Sequence, residues 1–216
     1  MCIKRKKTEE LISNLCEDHH KVKTMGCAYK RALYIMATIV IYNVLIIKFF
    51  DVVRHDISDV MHSATMLYEL IIAFSIGASA VLAMSLLMIP DMKGHKWFLS
   101  VPTTISLTFL LWMSVNFFQQ GYNMEHVHPG GPCFVDGILY AGLPTFIAVV
   151  IARRGATAHR IWLTVMAALS ASSIGWISLR FVCALDSASH VFVDHVLPFA
   201  LIGILLGVLS KRLFSW

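Results

Sequence analysis

Six long apolar runs constrain this chain more than any other feature of its sequence. They cover residues 32–49, 65–89, 97–118, 133–152, 161–182 and 196–209. Most are near or above the roughly 18–20 residues that a helix needs to cross a bilayer. Only 14% of the residues are charged, against about 25% in a soluble domain. The sequence therefore predicts an all-α polytopic membrane protein, a bundle of six transmembrane helices, and excludes a soluble globular domain.

Positive charge lies on one side of this predicted bundle. Fifteen of the 18 Lys and Arg residues precede the first run, follow the last, or fall in the turns 90–96 and 153–160. Cytoplasmic segments carry the excess of Lys and Arg, so both termini are expected in the cytoplasm. The chain then divides into a cytoplasmic head with a short helix (1–31), a transmembrane domain (32–210) and a cytoplasmic tail (211–216). Because the basic residues flank apolar runs, no direct contact with nucleic acid is predicted.

Two cysteines are predicted at the outer face of the membrane. Cys133 begins the fourth run and Cys183 follows the fifth. An oxidising compartment would allow them to form a disulfide, provided that their Cα atoms lie within about 7 Å. Two small thiols buried separately at helix ends are an equally good interpretation. No CxxC pair is present in the sequence, which argues against a disulfide oxidoreductase.

Four histidines accompany these cysteines on the same side. His126 and His128 precede Cys133, whereas His190 and His195 follow Cys183. Imidazole and thiolate together suit zinc, copper and other soft metals. The spacings match no closed zinc site, however, so polar loop residues are the favoured interpretation and a weak or transient metal site is the alternative. No cofactor is predicted.

Glu69 and Arg180 are charged residues near the outer ends of their runs. Opposite charges at similar depth are usually tolerated in a membrane because they pair across helices. No ionisable residue lies in the middle of a run, which argues against a proton-coupled transporter.

Small residues at one-turn spacing occur in two of the runs, Ala171 with Gly175 and Gly203 with Gly207. Such pairs allow helix backbones to approach closely, so they are expected to support a compact bundle.

The head contains a short amphipathic segment at 8–16. Leu11, Ile12 and Leu15 fall on one face of a helix there. Such a helix is too short to be stable alone in water, so its apolar face should rest on something. It can dock into a groove on a protein partner. Alternatively, it lies on the membrane surface, assisted by the basic residues 4–7.

Three landmarks, taken in order, resemble a known family. They are the segment 10–23, then Cys133 followed by Pro144 and 153–156, then Cys183 followed by His190, His195 and Pro198. In this order and spacing the chain resembles the NrsF type of membrane-bound anti-sigma factor, a negative regulator of an extracytoplasmic-function (ECF) sigma factor in Gram-negative bacteria. Lys21 and Lys23 stand where that family has a proline and an arginine.

The resemblance implies a multi-pass protein of the bacterial inner membrane that is not an enzyme. Its partners would be an ECF sigma factor and the lipid bilayer, and Cys133 and Cys183 would sense envelope, oxidative or metal stress. The residues implied to bind the sigma factor are Leu11, Ile12, Leu15, Asp18, Val22 and Lys23. The alternative from a different class is a transporter of a metal ion or small solute that uses the outer His and Cys residues.

Overall fold

A computed structural model describes residues 27–50, 53–89, 97–120, 131–153 and 159–213. Most of the predicted head and the end of the tail lie outside these residues. The amphipathic segment 8–16 lies outside the described residues, and so do the six residues implied to bind a sigma factor.

Six helical segments are long and apolar enough to cross a membrane. Five of them are single helices: α1 Ala28–Phe50, α3 Ala64–Leu87, α4 Trp97–Gln120, α5 Pro132–Ala152 and α6 Arg160–Val182. A short helix, α2 Ile57–Met61, lies between α1 and α3. The predicted all-helical, six-span architecture is confirmed.

The sixth span is built from three consecutive pieces. They are α7 Ala188–His190, a π-helical turn Val191–Val196 and α8 Leu197–Leu213. Ser187 caps its start, since its side-chain oxygen accepts a hydrogen bond from the backbone N–H of His190 at 3.4 Å. The span therefore begins eight residues before the predicted 196. The prediction of a polar loop is wrong for 188–195, because these residues are helical and their polar side chains are buried.

Helix α6 is the centre of the bundle and α1 lies at its edge. In the most apolar window of each helix, 67% of the α6 residues are buried but only 17% of those in α1. Helix α6 packs against α3, α5, α8 and α1. At Gly175, an added Cβ would lie 3.3 Å from the carbonyl carbon of Tyr140 on α5. This agrees with the close approach predicted for that small-residue pair.

The second small-residue pair has no such role within the chain. An added Cβ at Gly203 or Gly207 would have no neighbour within 4 Å in the described structure. The expectation that this pair brings helices of one chain together is therefore wrong. The residue types are the same as in the first pair, but no described helix approaches these two glycines as closely.

An aromatic layer lies beneath the end of the bundle that carries Cys133 and Cys183, called the cysteine end below. Trp176 of α6 meets Phe109 of α4 edge-on, with ring centroids 5.3 Å apart. On its other side it meets the His195 ring edge-on at 5.8 Å. These rings separate the polar groups at the cysteine end from the apolar core below.

Candidate functional site

The two cysteines lie side by side at the cysteine end. Cys133 is in the first turn of α5, directly after Pro132, a residue suited to a helix start. Cys183 follows the last residue of α6 in extended conformation and is buried. Their sulfur atoms are 3.3 Å apart, and the Cys133 thiol donates to the Cys183 sulfur. Helix ends that are 50 positions apart in sequence thus bring two free thiols together.

Two histidines of the sixth span complete this group. His190 Nε2 is 3.2 Å from the Cys183 sulfur, and the His190 and His195 ring centroids are 5.1 Å apart. Residues five apart face different directions on an α-helix, which has 3.6 residues per turn. The π-helical turn between them, with its i to i+5 hydrogen bonds, places them on one face. The thiol–imidazole cluster is formed by Cys133, Cys183, His190 and His195. Each residue offers one ligand atom, and these four atoms lie within 4.8 Å of one another.

The imidazoles of the thiol–imidazole cluster have different surroundings. His190 Nδ1 lies 2.8 Å from the Asp194 carboxylate, which turns Nε2 toward the Cys183 sulfur. His195 is fully buried, and neither ring nitrogen makes a hydrogen bond of standard geometry in the described part of the chain. The polar group that it faces is the Cys183 sulfur. Asp194 was not among the sequence-predicted site residues; its spacing of four from His190 was the available signal.

The environment of Cys183 favours its thiolate. The hydrogen bond from Cys133, followed by the contacts with His190 and His195, holds the pKa of the Cys183 thiol well below its usual range, although burial acts in the opposite direction. A thiolate is both the nucleophile and the metal ligand of cysteine chemistry. The contacts of the Cys183 sulfur with a second thiol and with His190 therefore favour this form at Cys183.

Beside the thiol–imidazole cluster lies an ion-pair network of five residues. Arg54 lies 2.7 Å from Asp56 and 2.8 Å from Asp186. Arg180 lies 2.6 Å from the other Asp186 oxygen and 2.9 Å from Glu69. The Glu69 contact is an ion pair without the alignment of a hydrogen bond. It is the pairing across helices that the sequence predicted for Glu69 and Arg180.

The network keeps its charged forms over a wide pH range. Hydrogen bonds to Asp56 and Asp186 raise the pKa of Arg54. The hydrogen bond from Arg54 lowers the pKa of Asp56 to about 2. Burial would raise the pKa of Asp186, but hydrogen bonds and charge from Arg54 and Arg180 lower it on balance. At neutral pH Arg54, Asp56 and Asp186 are therefore charged.

Arg54 also binds the backbone next to Cys183. Its Nη1 donates to the Cys183 carbonyl at 3.0 Å, and its backbone N–H donates to the Phe181 carbonyl at 3.0 Å. These two hydrogen bonds hold the link between α1 and α3 against the segment that carries Cys183. The sequence prediction missed Arg54, which is 129 positions from Cys183. One sequence feature indicated its importance: Arg54 is a basic residue on the predicted outer side of the membrane, where few basic residues lie.

The sequence of this chain matches a known family. The family is described as NrsF, negative regulator of sigma F, and the match covers residues 15–216. The chain belongs to the NrsF family. No curated protein and no solved structure matches it. Membership implies that this NrsF protein is a negative regulator of a sigma factor, with a sigma factor as its partner, and the six apolar helices indicate a membrane protein.

Several predicted site residues of this NrsF chain lie outside the described residues. His126 and His128, two of the four proposed weak metal ligands, fall in 121–130. The predicted partner-binding residues are outside as well: Leu11, Ile12, Leu15, Asp18, Val22 and Lys23. The NrsF match from residue 15 onward includes the last four of these.

Chemically, the thiol–imidazole cluster is suited to two reactions. Two adjacent thiols can give up two electrons and two protons to an oxidant and form a disulfide. Thiolates and imidazoles together are the ligands that soft metal ions prefer. Either reaction would change the position of Cys183, whose backbone Arg54 holds.

Proposed function

We propose that this NrsF protein holds an ECF sigma factor at the bacterial inner membrane and releases it when its cysteines sense envelope, oxidative or metal stress. The head lies in the cytoplasm, where it binds the sigma factor and keeps it from RNA polymerase. The cysteine end faces outward, because 15 of the 18 Lys and Arg residues fall on the opposite side of the bundle. The protein acts by binding, not by catalysis.

One observation carries the sensing part of this proposal, the bond between Arg54 and the Cys183 carbonyl. Arg54 follows the end of α1 by four residues, and the head precedes the start of α1. A change at Cys183 therefore acts on Arg54, then on α1, and through α1 on the head. The head does not need to touch the sensor, because one helix joins them.

Helix α1 is suited to move because few contacts hold it. Only 17% of its most apolar window is buried, the lowest share of the six spans. A buried hydrogen bond fastens its middle, in which Ser178 of α6 donates to the Asn43 oxygen at 3.0 Å. A small change in free energy at the Arg54 end is then enough to shift the balance between two positions of α1, as a two-state switch requires.

The head is tested by charge substitution on its apolar face. Leu11→Asp combined with Leu15→Asp should release the sigma factor and switch on its target genes without stress. Ser13→Asp, on the polar face, is the matched control and should keep repression. A reporter gene for the sigma factor measures the result, with immunoblots to show equal protein in the membrane. Full repression by the double variant would contradict docking through this face.

The sensor is tested by removing each thiol. Cys133→Ser and Cys183→Ser should abolish induction of the same reporter by hydroperoxide and by cadmium salts. Cys27→Ser is the matched control, since Cys27 is exposed and lies at the start of α1. Unchanged induction in both outer-cysteine variants would remove the sensor role and leave the sigma-factor binding untouched.

A further inference from the structure

We propose that the thiol–imidazole cluster is a four-ligand site for a thiophilic divalent d10 cation, Zn²⁺ or Cd²⁺. Its ligands are Cys133 and Cys183 sulfur with one nitrogen each of His190 and His195. The inference rests on the proposed function in one respect, because it specifies what the sensor takes up. The site itself stands on the geometry of the four side chains.

The geometry is close to that of a tetrahedral site. Zinc bonds of about 2.3 Å to sulfur and 2.0–2.1 Å to nitrogen place neighbouring ligand atoms roughly 3.3–3.8 Å apart. The two sulfur atoms are 3.3 Å apart, and Cys183 sulfur is 3.2 Å from His190 Nε2. No pair among the four ligand atoms exceeds 4.8 Å. Small shifts of the four ligand atoms would therefore close them around one ion.

His195 is the residue that distinguishes a metal site from a redox pair. It is fully buried, and neither of its nitrogens has a hydrogen bond of standard geometry in the part of the chain that is described. A buried imidazole in that state costs free energy, which a polar partner recovers. A disulfide between the two cysteines would leave His195 facing an uncharged sulfur, whereas a cation would bind one of its nitrogens directly.

Asp194 has the position of an orienting group behind a metal-binding histidine. It lies 2.8 Å from His190 Nδ1, on the far side of the ring from the nitrogen that faces the sulfur. Histidine ligands usually contact a carboxylate or carbonyl through their second nitrogen, which fixes the ring and raises its basicity. Asp194 is thus a positioning residue for His190.

The ligand set selects the class of cation. Two sulfurs and two imidazole nitrogens suit a borderline or soft ion, whereas Mg²⁺ and Ca²⁺ prefer oxygen ligands. Two thiolates neutralise the charge of a divalent ion, which matters in a buried site next to the aromatic layer around Trp176. Binding releases the protons that the thiols still carry, and no electrons are transferred.

The test uses the full chain in detergent micelles, reduced, freed of metal with a chelator and kept anaerobic. Titration with Co²⁺ should give the visible ligand-field bands of a tetrahedral ion and a thiolate-to-metal charge-transfer band, saturating at one ion per chain. Zn²⁺ should then remove the bands by displacement, and Cd²⁺ should give its own ultraviolet thiolate band. No uptake, or the weak spectrum of an octahedral ion, would overturn the site.

Variants identify the ligands. His195→Asn and Cys183→Ser should each weaken Zn²⁺ binding by at least the 10–100-fold expected for loss of a supporting contact, and Asp194→Asn by about 10–100-fold with the Co²⁺ band positions kept. Cys27→Ser and His62→Asn replace exposed residues and should bind like the parent. His195→Cys supplies a third sulfur and should intensify the charge-transfer band, which a misfolded variant would not do. Unchanged affinity and spectrum in His195→Asn would exclude His195 as a ligand.

Different experimental results would contradict the metal site and the proposed sensor function. If the purified chain binds neither Zn²⁺ nor Cd²⁺ while Cys183→Ser still abolishes induction in cells, the sensor is a redox pair and the metal site is wrong. If the chain binds both ions but the cysteine variants leave transcription unchanged, the metal site stands and the proposed sensor function is wrong.

Discussion

The two polar groups at the cysteine end differ in how completely they are satisfied. In the ion-pair network, every charge lies within 3 Å of an opposite charge, from 2.6 Å for Arg180 with Asp186 to 2.9 Å for Arg180 with Glu69. In the thiol–imidazole cluster, His195 is buried without a hydrogen bond of standard geometry to any described residue. The charges of the first group are paired with opposite charges within the chain, while the polar group that His195 faces in the second is a sulfur atom. We conclude that the network holds the structure together; under the proposed function, the thiol–imidazole cluster is where an input would arrive.

The largest expected effect tests the structural role of the network. Arg180→Ala should lower the free energy of unfolding by about 3–5 kcal/mol, because it leaves Glu69 buried and uncompensated. The Glu69 side chain is only 8% exposed, so this contact is little screened by solvent. Denaturant titration in micelles measures the change. Lys48→Ala, at the exposed end of α1, is the control and should stay within about 0.5 kcal/mol. Equal losses of stability in Arg180→Ala and Lys48→Ala would contradict a structural role for the ion-pair network.

A smaller effect is expected at the partly exposed side of the network. Arg54→Ala should cost about 1–3 kcal/mol, discounted because the Asp186 side chain is 45% exposed and screened by water. Arg54→Lys should recover part of this loss, since it keeps the charge but not the paired hydrogen bonds to Asp56. A lysine variant as stable as the parent would show that charge alone matters.

The same network predicts the direction of a pH effect. The pKa of Asp56 is lowered to about 2 in the folded chain. Its contribution to stability is therefore fully present above the usual value of about 3.9 and is lost as the pH falls towards 2. In Arg54→Ala this part of the acid dependence should disappear, which unfolding curves at a series of pH values would detect.

The hydrogen bond between Ser178 and Asn43 allows charged and uncharged contacts to be compared, because it is polar and buried but carries no charge. Ser178→Ala removes the hydrogen bond to Asn43 between α6 and α1 and should cost about 0.6 kcal/mol, the average for such bonds in membranes. Ser114→Ala is the control, since the Ser114 hydroxyl binds only a carbonyl of its own helix. A loss as large as that in Arg180→Ala would mean that charge is not what distinguishes the network.

The smallest effect is expected in the thiol–imidazole cluster itself. In the metal-free chain, His195→Leu should change the free energy of unfolding by less than about 1 kcal/mol, because it replaces a buried polar group without a hydrogen bond by an apolar one. Thermal unfolding in the presence of a chelator measures this. A loss of several kcal/mol would show that His195 already has a strong partner within the chain.

The fold was largely predictable from the sequence, because crossing a bilayer requires long apolar runs that are visible in it. Five of the six predicted spans agree with the helices to within a few residues. The start of the sixth was wrong, since Asp194 and His195 are costly in a span unless they have partners. Asp194 has its partner within the span, His190 at 2.8 Å, and His195 faces the Cys183 sulfur that follows α6. The sequence did not show the π-helical turn that makes these contacts possible.

The same limit applies to the site. Cys133, Cys183, His190 and His195 were predicted as candidates from residue type, but their assembly depends on which helices are neighbours. Arg54 carried almost no signal, because its partners Asp186 and the Cys183 carbonyl lie more than a hundred positions away.

The π-helical turn Val191–Val196 has a consequence for the length of the chain. A turn of this kind holds one residue more than the α-helical turn it replaces, so it is equivalent to a single inserted codon. Deletion of Val193 would close this turn to an α-helical one, with His195 four positions after His190 and on the same face, and would leave the rest of α8 in its orientation. A homologue that keeps all four cluster residues but lacks one position between the histidines would therefore keep the faces of its sixth span, with an α-helical turn in place of the π-helical one.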